Sequence, residues 1–307
     1  MISEFLGFGA DQKLMLGHID DVGVCHSAND ASMKALHLGM AASGSLMMPC
    51  AWIPEAAQAF KDKPDLDLGV HATFTSERDL YRWRPLAPCD KVSTLVDSEG
   101  YFYRTTQEVV SHARAEEYEF ELRAQIDHAY EMGFEPTHLD THMGTCLWRP
   151  DFFEIYIGLA REYGIPPLLV RPDSLRLSVW TNEDIESWLL PRINVLEEEG
   201  FILIDCLLNV FVHPTGEHKT VDERRKAYHG AIRRCVPGLN FLCLHMAHYD
   251  DEARAAMDER PARSRAFDHQ VFMEEETRQV AQEANVRFIG WREIQMLFRE
   301  KTKYVDR

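Results

Sequence analysis

The sequence predicts an α/β fold, a (β/α) barrel of mainly parallel strands, and three observations carry that expectation. Short apolar runs of strand length alternate with stretches of helical periodicity along most of the chain, as in successive strand–helix units of a parallel sheet. At 307 residues the chain is long for one sandwich and ordinary for one barrel. Histidines and acids fall repeatedly at the ends of predicted strands, where a parallel barrel gathers residues distant in sequence onto one face. A single domain over 1–307 is expected, because the sequence has no internal repeat, low-complexity tract or evident linker.

Lys13 to Ile19 reads as a buried first strand that ends in Asp20 and Asp21, followed by Gly23. Ser27 or Asn29 then caps a helix through Ala31 to Ala42. Ser45 to Cys50 is the next apolar run, and helical spacing over Glu55 to Phe60 follows until Pro64. Asp67 to Phe74 alternates as a strand, with Leu68, Val70, Ala72 and Phe74 on one face and His71 on the other. Residues 81–105 are rich in Arg, Pro and aromatics and read as an irregular insertion of the kind that shapes substrate sites. One long helix is expected over Thr106 to Met132, ended by Gly133-Phe134-Glu135-Pro136. A helix over Phe152 to Tyr163 and strands at Leu168 to Arg171, Phe201 to Leu207, Leu239 to Leu244 and Val286 to Ile289 complete the series.

Hydrophobic residues make up 45% and charged residues 27%, a globular composition and not a disordered one. The net charge of −17 argues against nucleic acid as a partner, since phosphate binding draws on clustered Lys and Arg. No stretch approaches the ~18 apolar residues of a membrane span and the N-terminus lacks a basic, apolar signal pattern, so a cytoplasmic protein with no membrane partner is expected. Seven cysteines without CxxC spacing fit reduced thiols better than a disulfide framework.

The chemistry concentrates in Pro136-Thr137-His138-Leu139-Asp140-Thr141-His142. Residues two apart in an extended segment share a face, so His138, Asp140 and His142 point the same way. Asp20 and Asp21, His71, and His245 with His248 stand at other predicted strand ends. A carboxylate with two neutral imidazoles suits Zn²⁺ or another first-row divalent ion, whose bound water would have its pKa drawn down towards about 7. Asp21, His71 and His142 are the expected ligands, with Asp20 beside them to take the water's proton.

His18-Ile19-Asp20-Asp21-Val22-Gly23, Gly69-Val70-His71 and the 136–142 segment resemble the successive motifs of the YdjC-like carbohydrate deacetylases, which include the chitooligosaccharide deacetylases. Cys243-Leu244-His245 resembles that family's later strand-end histidine motif, so the resemblance runs from about Lys13 to Phe298. It implies a distorted (β/α) barrel in which Asp21, His71 and His142 hold one divalent ion, Zn²⁺ or Mg²⁺, with Zn²⁺ favoured by the two imidazoles. It also implies removal of an acetyl group from a small N-acetylated sugar or oligosaccharide, with Asp20 as base and His245 as acid. Three departures are visible: His18 where the family usually has Asn, Met143-Gly144-Thr145 where its third motif continues into further histidines, and Met246 where a proline commonly follows the late histidine.

His138 and Asp140 are expected to orient neighbouring groups, Asp140 fixing His142 or a backbone amide. His248 is the alternative to His245 as proton donor. Arg171 is a candidate for binding substrate or Asp20, and Trp148, with Trp83 and Tyr81, for stacking on a sugar ring. Asp250 to Arg265 reads as a solvated loop and helix whose arginines could enter the cleft. Two other readings accompany the deacetylase: a metal-dependent hydrolase or isomerase for another small molecule, and a non-catalytic carbohydrate-binding protein of the same fold. A homodimer is kept as an option for the assembly.

Overall fold

A computed structural model describes residues 2–175, 182–208 and 219–304. Among the described residues seven strands run in one parallel sheet: β1 Lys13–Val22, β2 Ser43–Leu46, β3 Leu68–Ala72, β4 Leu139–Thr141, β5 Cys206–Leu208, β6 Gly238–His245 and β7 Val286–Phe288. Helices cover the outside, so the strands are buried on both faces and read as near-continuous apolar runs. The spatial order is β4-β3-β2-β1-β6-β5, with β7 paired to β1 off this path. β6 runs the length of β1 from Lys13↔Gly238 to Asp20↔His245. On the other edge of β1, β7 pairs with Lys13 to Met15 and β2 takes over from His18.

Two isolated parallel bridges, Leu139↔Pro167 and Val170↔Ile204, carry the pairing from β4 round to the chain entering β5. Leu168 N donates to Leu139 O at 2.8 Å and Arg171 N to Ile204 O at 2.9 Å, which completes a distorted barrel. The strand expected over Leu168 to Arg171 is thus reduced to single bridges. Pro166 and Pro167 in front of it offer no backbone donors for a ladder.

Two helix boundaries differ from expectation for identifiable reasons. The first long helix is His26–Leu38, and neither Ser27 nor Asn29 caps it. Asn29 instead accepts from Gly23 N at 2.7 Å and donates to Trp52 O and Glu55 Oε2, both at 2.9 Å, while Ser27 Oγ donates to Asp250. The helix expected over Thr106 to Met132 is two, Thr106–His112 and Ala115–Glu131. At the break, Ala113 O accepts from Arg149 Nη1 at 2.7 Å and Arg114 N donates to Thr94 Oγ1 at 3.0 Å, so tertiary partners replace helical ones.

The segment 81–105 is irregular, with one 3-10 turn at Ser93–Leu95. Its anchor is the buried Glu121, which accepts from Leu86 N at 3.1 Å, Ala87 N at 2.9 Å and Gln125 Nε2 at 2.8 Å. Burial outweighs these donors and raises the Glu121 carboxyl to about 7 from its ordinary 4.5. The folded protein therefore keeps a proton that the unfolded chain releases. Its stability is expected to fall as pH rises from about 4.5 to about 7, by on the order of 3 kcal/mol, and to level off above. Melting temperatures of Glu121→Gln across this range should show a flatter profile, and an unchanged slope would remove Glu121 as its source.

Candidate metal centre and active site

In a regular strand Asp20 and Asp21 would face opposite sides. The β1–β2 register shifts between Ile19 and Val22, and Asp21 adopts a left-handed φ of 65°, so a bulge turns both carboxylates into one cavity. His71 joins them from β3 and His142 from the end of β4, where Met143 and Gly144 take φ of 54° and 64° and turn the chain away. His245, the last residue of β6, completes the rim. The cavity of about 380 Å³ is also lined by Val24, Met47, Trp83, Met143 and Met257, and lies at the small end of the about 300–1,000 Å³ of small-molecule sites.

Asp21 Oδ1 lies 3.4 Å from His71 Nε2 and 3.2 Å from His142 Nδ1. Its other oxygen accepts from Arg265 Nη2 at 2.5 Å. Each histidine gives its remaining ring nitrogen to a carboxylate: His71 Nδ1 to Asp140 Oδ1 and His142 Nε2 to Glu77 Oε1, both at 2.8 Å. This carboxylate–histidine pairing fixes the tautomer that leaves the inward nitrogen free for a metal. Ligand atoms about 2.1 Å from a tetrahedral ion stand about 3.4 Å apart, close to the spacings found. Asp21 Oδ1 is buried and makes no well-formed hydrogen bond, which is what a ligand oxygen requires. The residues fit a divalent cation.

The electrostatics agree. Burial would raise the Asp21 carboxyl, but Arg265, then His142 and His71, hold it well below the ordinary carboxylate range. Burial likewise opposes the charges of the histidines, yet Asp140 and Asp20 lift His71 well above its usual value, and Glu77 with Asp21 lifts His142 to about 9. Glu77 falls to about 2, against its burial, because of His142. Four carboxylates thus share two histidines and Arg265, a cluster whose negative charge a cation would offset.

Asp20 differs from its neighbour. Burial raises its carboxyl despite the opposing His71, with Asp140 adding to the rise. Its Oδ2 accepts from Cys243 Sγ at 3.0 Å and lies 4.0 Å from His245 Nε2. His245 is lowered to about 3 by burial and then by Arg265. Its backbone N donates to Asp268 Oδ2 at 3.2 Å, and Asp268 is ion-paired with the equally buried Arg224.

The alternate residues of the 136–142 segment do face inward, but in three layers with different partners. His142 reaches Asp21, Asp140 supports His71 and not His142, and His138 touches neither ligand. His138 Nδ1 lies 2.9 Å from Thr137 Oγ1, and its ring stacks on Trp291 and meets His18 edge-on, each at 4.8 Å between centroids. Gly69 makes room for that ring, since a Cβ there would come within 2.5 Å of it. His18 links the layers, with Nε2 3.1 Å from Asp140 Oδ2 and Nδ1 2.8 Å from Ser43 Oγ.

Four other candidates lie outside the cavity lining. Arg171 pairs with Asp205 at 2.6 Å and Glu197 at 2.7 Å, because its segment joins the sheet near the start of β6, the opposite end from His245. Trp148 packs partly buried against the core, whereas Trp83, within the insertion, does line the cavity. Tyr81 hydroxyl donates to Val24 O at 2.5 Å. His248 Nε2 lies 2.5 Å from Asp30 Oδ2 with its ring against His269, which leaves His245 as the histidine of β6 that faces the acids.

Glu77 was not anticipated: it is a loop residue six positions after His71, and only the fold brings it to His142. Glu77→Gln is expected to lower metal affinity by about 10–100-fold, as measured by chelator competition, through loss of the carboxylate behind His142.

Fold and centre together define a class, an α/β barrel with a carboxylate and two histidines that could hold a metal ion at the C-terminal ends of its strands. A family model described as YdjC-like protein matches residues 16–283, and the chain belongs to that family. A carbohydrate deacetylase of Thermus thermophilus is 37% identical over 83% of this chain and 85% of its own. A chitooligosaccharide deacetylase of Yersinia enterocolitica is 28% identical over 50% of this chain and 58% of its own. A crystal structure from Enterococcus faecalis V583, of a protein given a provisional role in cellobiose-phosphate cleavage, shares the fold with a TM-score of 0.72. It is 18% identical and covers 92% of this chain and 99% of its own. Among the described residues no helix is long and apolar enough to cross a membrane.

Proposed function

We propose that this chain is a divalent-metal-dependent hydrolase that removes the acetyl group from an N-acetylated sugar or short oligosaccharide. The observation that carries the reading is the convergence of Asp21, His71 and His142, each histidine backed by a buried or half-buried carboxylate, beside a second acid that is not part of the set. The 37% identity to a carbohydrate deacetylase supports the substrate class. When bound, the ion would lower the pKa of a water and polarise the acyl carbonyl, and two imidazoles favour Zn²⁺ over Mg²⁺.

The chain's own groups divide the remaining work. Asp20, kept basic by its raised pKa, takes the proton of the attacking water. His245 is neutral before substrate arrives, so its role as donor to the leaving amine begins with a proton gained during the cycle. Asp20, 4.0 Å away, is the neighbouring carboxyl that can pass it on. Trp83, Met47 and Met257 supply an apolar wall that limits water around these groups. Acetate release from N-acetylglucosamine oligomers by the metal-loaded protein tests the proposal, and no release from any N-acetylated sugar overturns it.

A further inference from the structure

The catalytic reading uses Asp20 and His245 but leaves Cys243, between them in space, without a role. Cys243 lies two residues before His245 on β6, so the pleat sends both side chains to the same side. Its Sγ is 3.0 Å from Asp20 Oδ2 and 3.9 Å from His245 Nδ1, and His245 Nε2 is 4.0 Å from the same Asp20 oxygen. One oxygen, one sulfur and one nitrogen ligand atom of this trio lie within 4.8 Å of one another, and all three residues line the cavity. Asp20 Oδ1 is buried without a well-formed hydrogen bond. For bonds of about 2.0 Å to nitrogen or oxygen and about 2.3 Å to sulfur, a tetrahedral site has edges of about 3.3–3.5 Å, which the oxygen–sulfur spacing of 3.0 Å approaches, and a single ring nitrogen of His245 within 4.8 Å of both supplies the third ligand atom.

We propose that Asp20, Cys243 and His245 form a second, inhibitory site for a thiophilic divalent cation such as Zn²⁺, adjoining the Asp21, His71 and His142 set. Binding forms a metal–sulfur bond and breaks the S–H bond, with the proton passing to solvent and no change of oxidation state. An ion bound by the trio displaces the thiol proton of Cys243. Sulfur selects Zn²⁺ or Cd²⁺ over Mg²⁺, which prefers oxygen ligands. The inhibitory consequence rests on the proposed function, because the ion would engage the groups assigned there as base and acid; the existence of the site does not.

Titration of the metal-free, full-length protein with Cd²⁺, followed by its thiolate-to-metal charge-transfer absorption, separates the two sites. The Asp21, His71 and His142 set holds no sulfur, so only the trio adds the band. Two bound equivalents are expected, one of them bearing the band. In Cys243→Ser that equivalent should weaken by about tenfold or more, with the band lost and the other equivalent retained. His71→Ala should keep the band, and His245→Ala should weaken it. Binding of one silent equivalent, or an undiminished band in Cys243→Ser, overturns the site. Excess Zn²⁺, but not excess Mg²⁺, should suppress acetate release. Band without hydrolysis of any N-acetylated sugar would sink the proposed function and leave the site standing; hydrolysis that excess Zn²⁺ does not slow would sink the inhibitory role.

Discussion

Asp20→Asn is expected to lower turnover in acetyl-group hydrolysis by about 10²–10⁴-fold while leaving the ion of the Asp21, His71 and His142 set in place. The amide nearly matches the carboxyl in shape but cannot accept the water's proton. Asp20 is adjacent to the expected ligand Asp21, yet its Oδ2 faces Cys243 and His245, 4.0 Å from His71 Nε2. Kinetics paired with metal analysis therefore distinguish base from ligand. Turnover within tenfold of wild type would remove Asp20 as the base, and loss of the ion held by Asp21, His71 and His142 would reassign it to the coordination set.

His71→Ala and His142→Ala should each strip the ion from the Asp21, His71 and His142 set, weakening its affinity by more than about 100-fold, since even partners behind a ligand are worth about 10–100-fold. Both histidines are buried, and each links an inward nitrogen with a carboxylate behind it, so alanine removes a ligand and strands that carboxylate. His248→Ala and Arg171→Ala serve as contrasts, for their partners are Asp30, and Asp205 with Glu197. Wild-type metal occupancy in either His71→Ala or His142→Ala would overturn the ligand set.

The barrel was legible because parallel strands covered on both faces leave unbroken apolar runs, and β1, β3 and β6 all lie where such runs fall. What local pattern could not convey was any departure from regular geometry. The paired acids read as a turn after a strand, whereas β1 continues through them to Val22 with a bulge that puts both on one side. Period-two alternation has no means of signalling that. Inward direction is readable for His138, Asp140 and His142, but depth is not, so the sequence offers His142 or a backbone amide as the partner of Asp140, where the structure has His71. Glu77 and Arg265 meet His142 and Asp21 only through tertiary contacts, and an expected solvated helix gave no reason to single out Arg265 from the other arginines nearby.

β1 also sets the order in which the molecule can be completed. It carries both acids of the centre, and it gains β2 soon after it is made, but β6 and β7 come from the last third of the chain. During synthesis, then, one whole flank of this apolar strand stays unpaired until Gly238–His245 has emerged, and the lower part of the other until Val286–Phe288 has. Such long-range pairing folds slowly and leaves a sticky edge in the meantime.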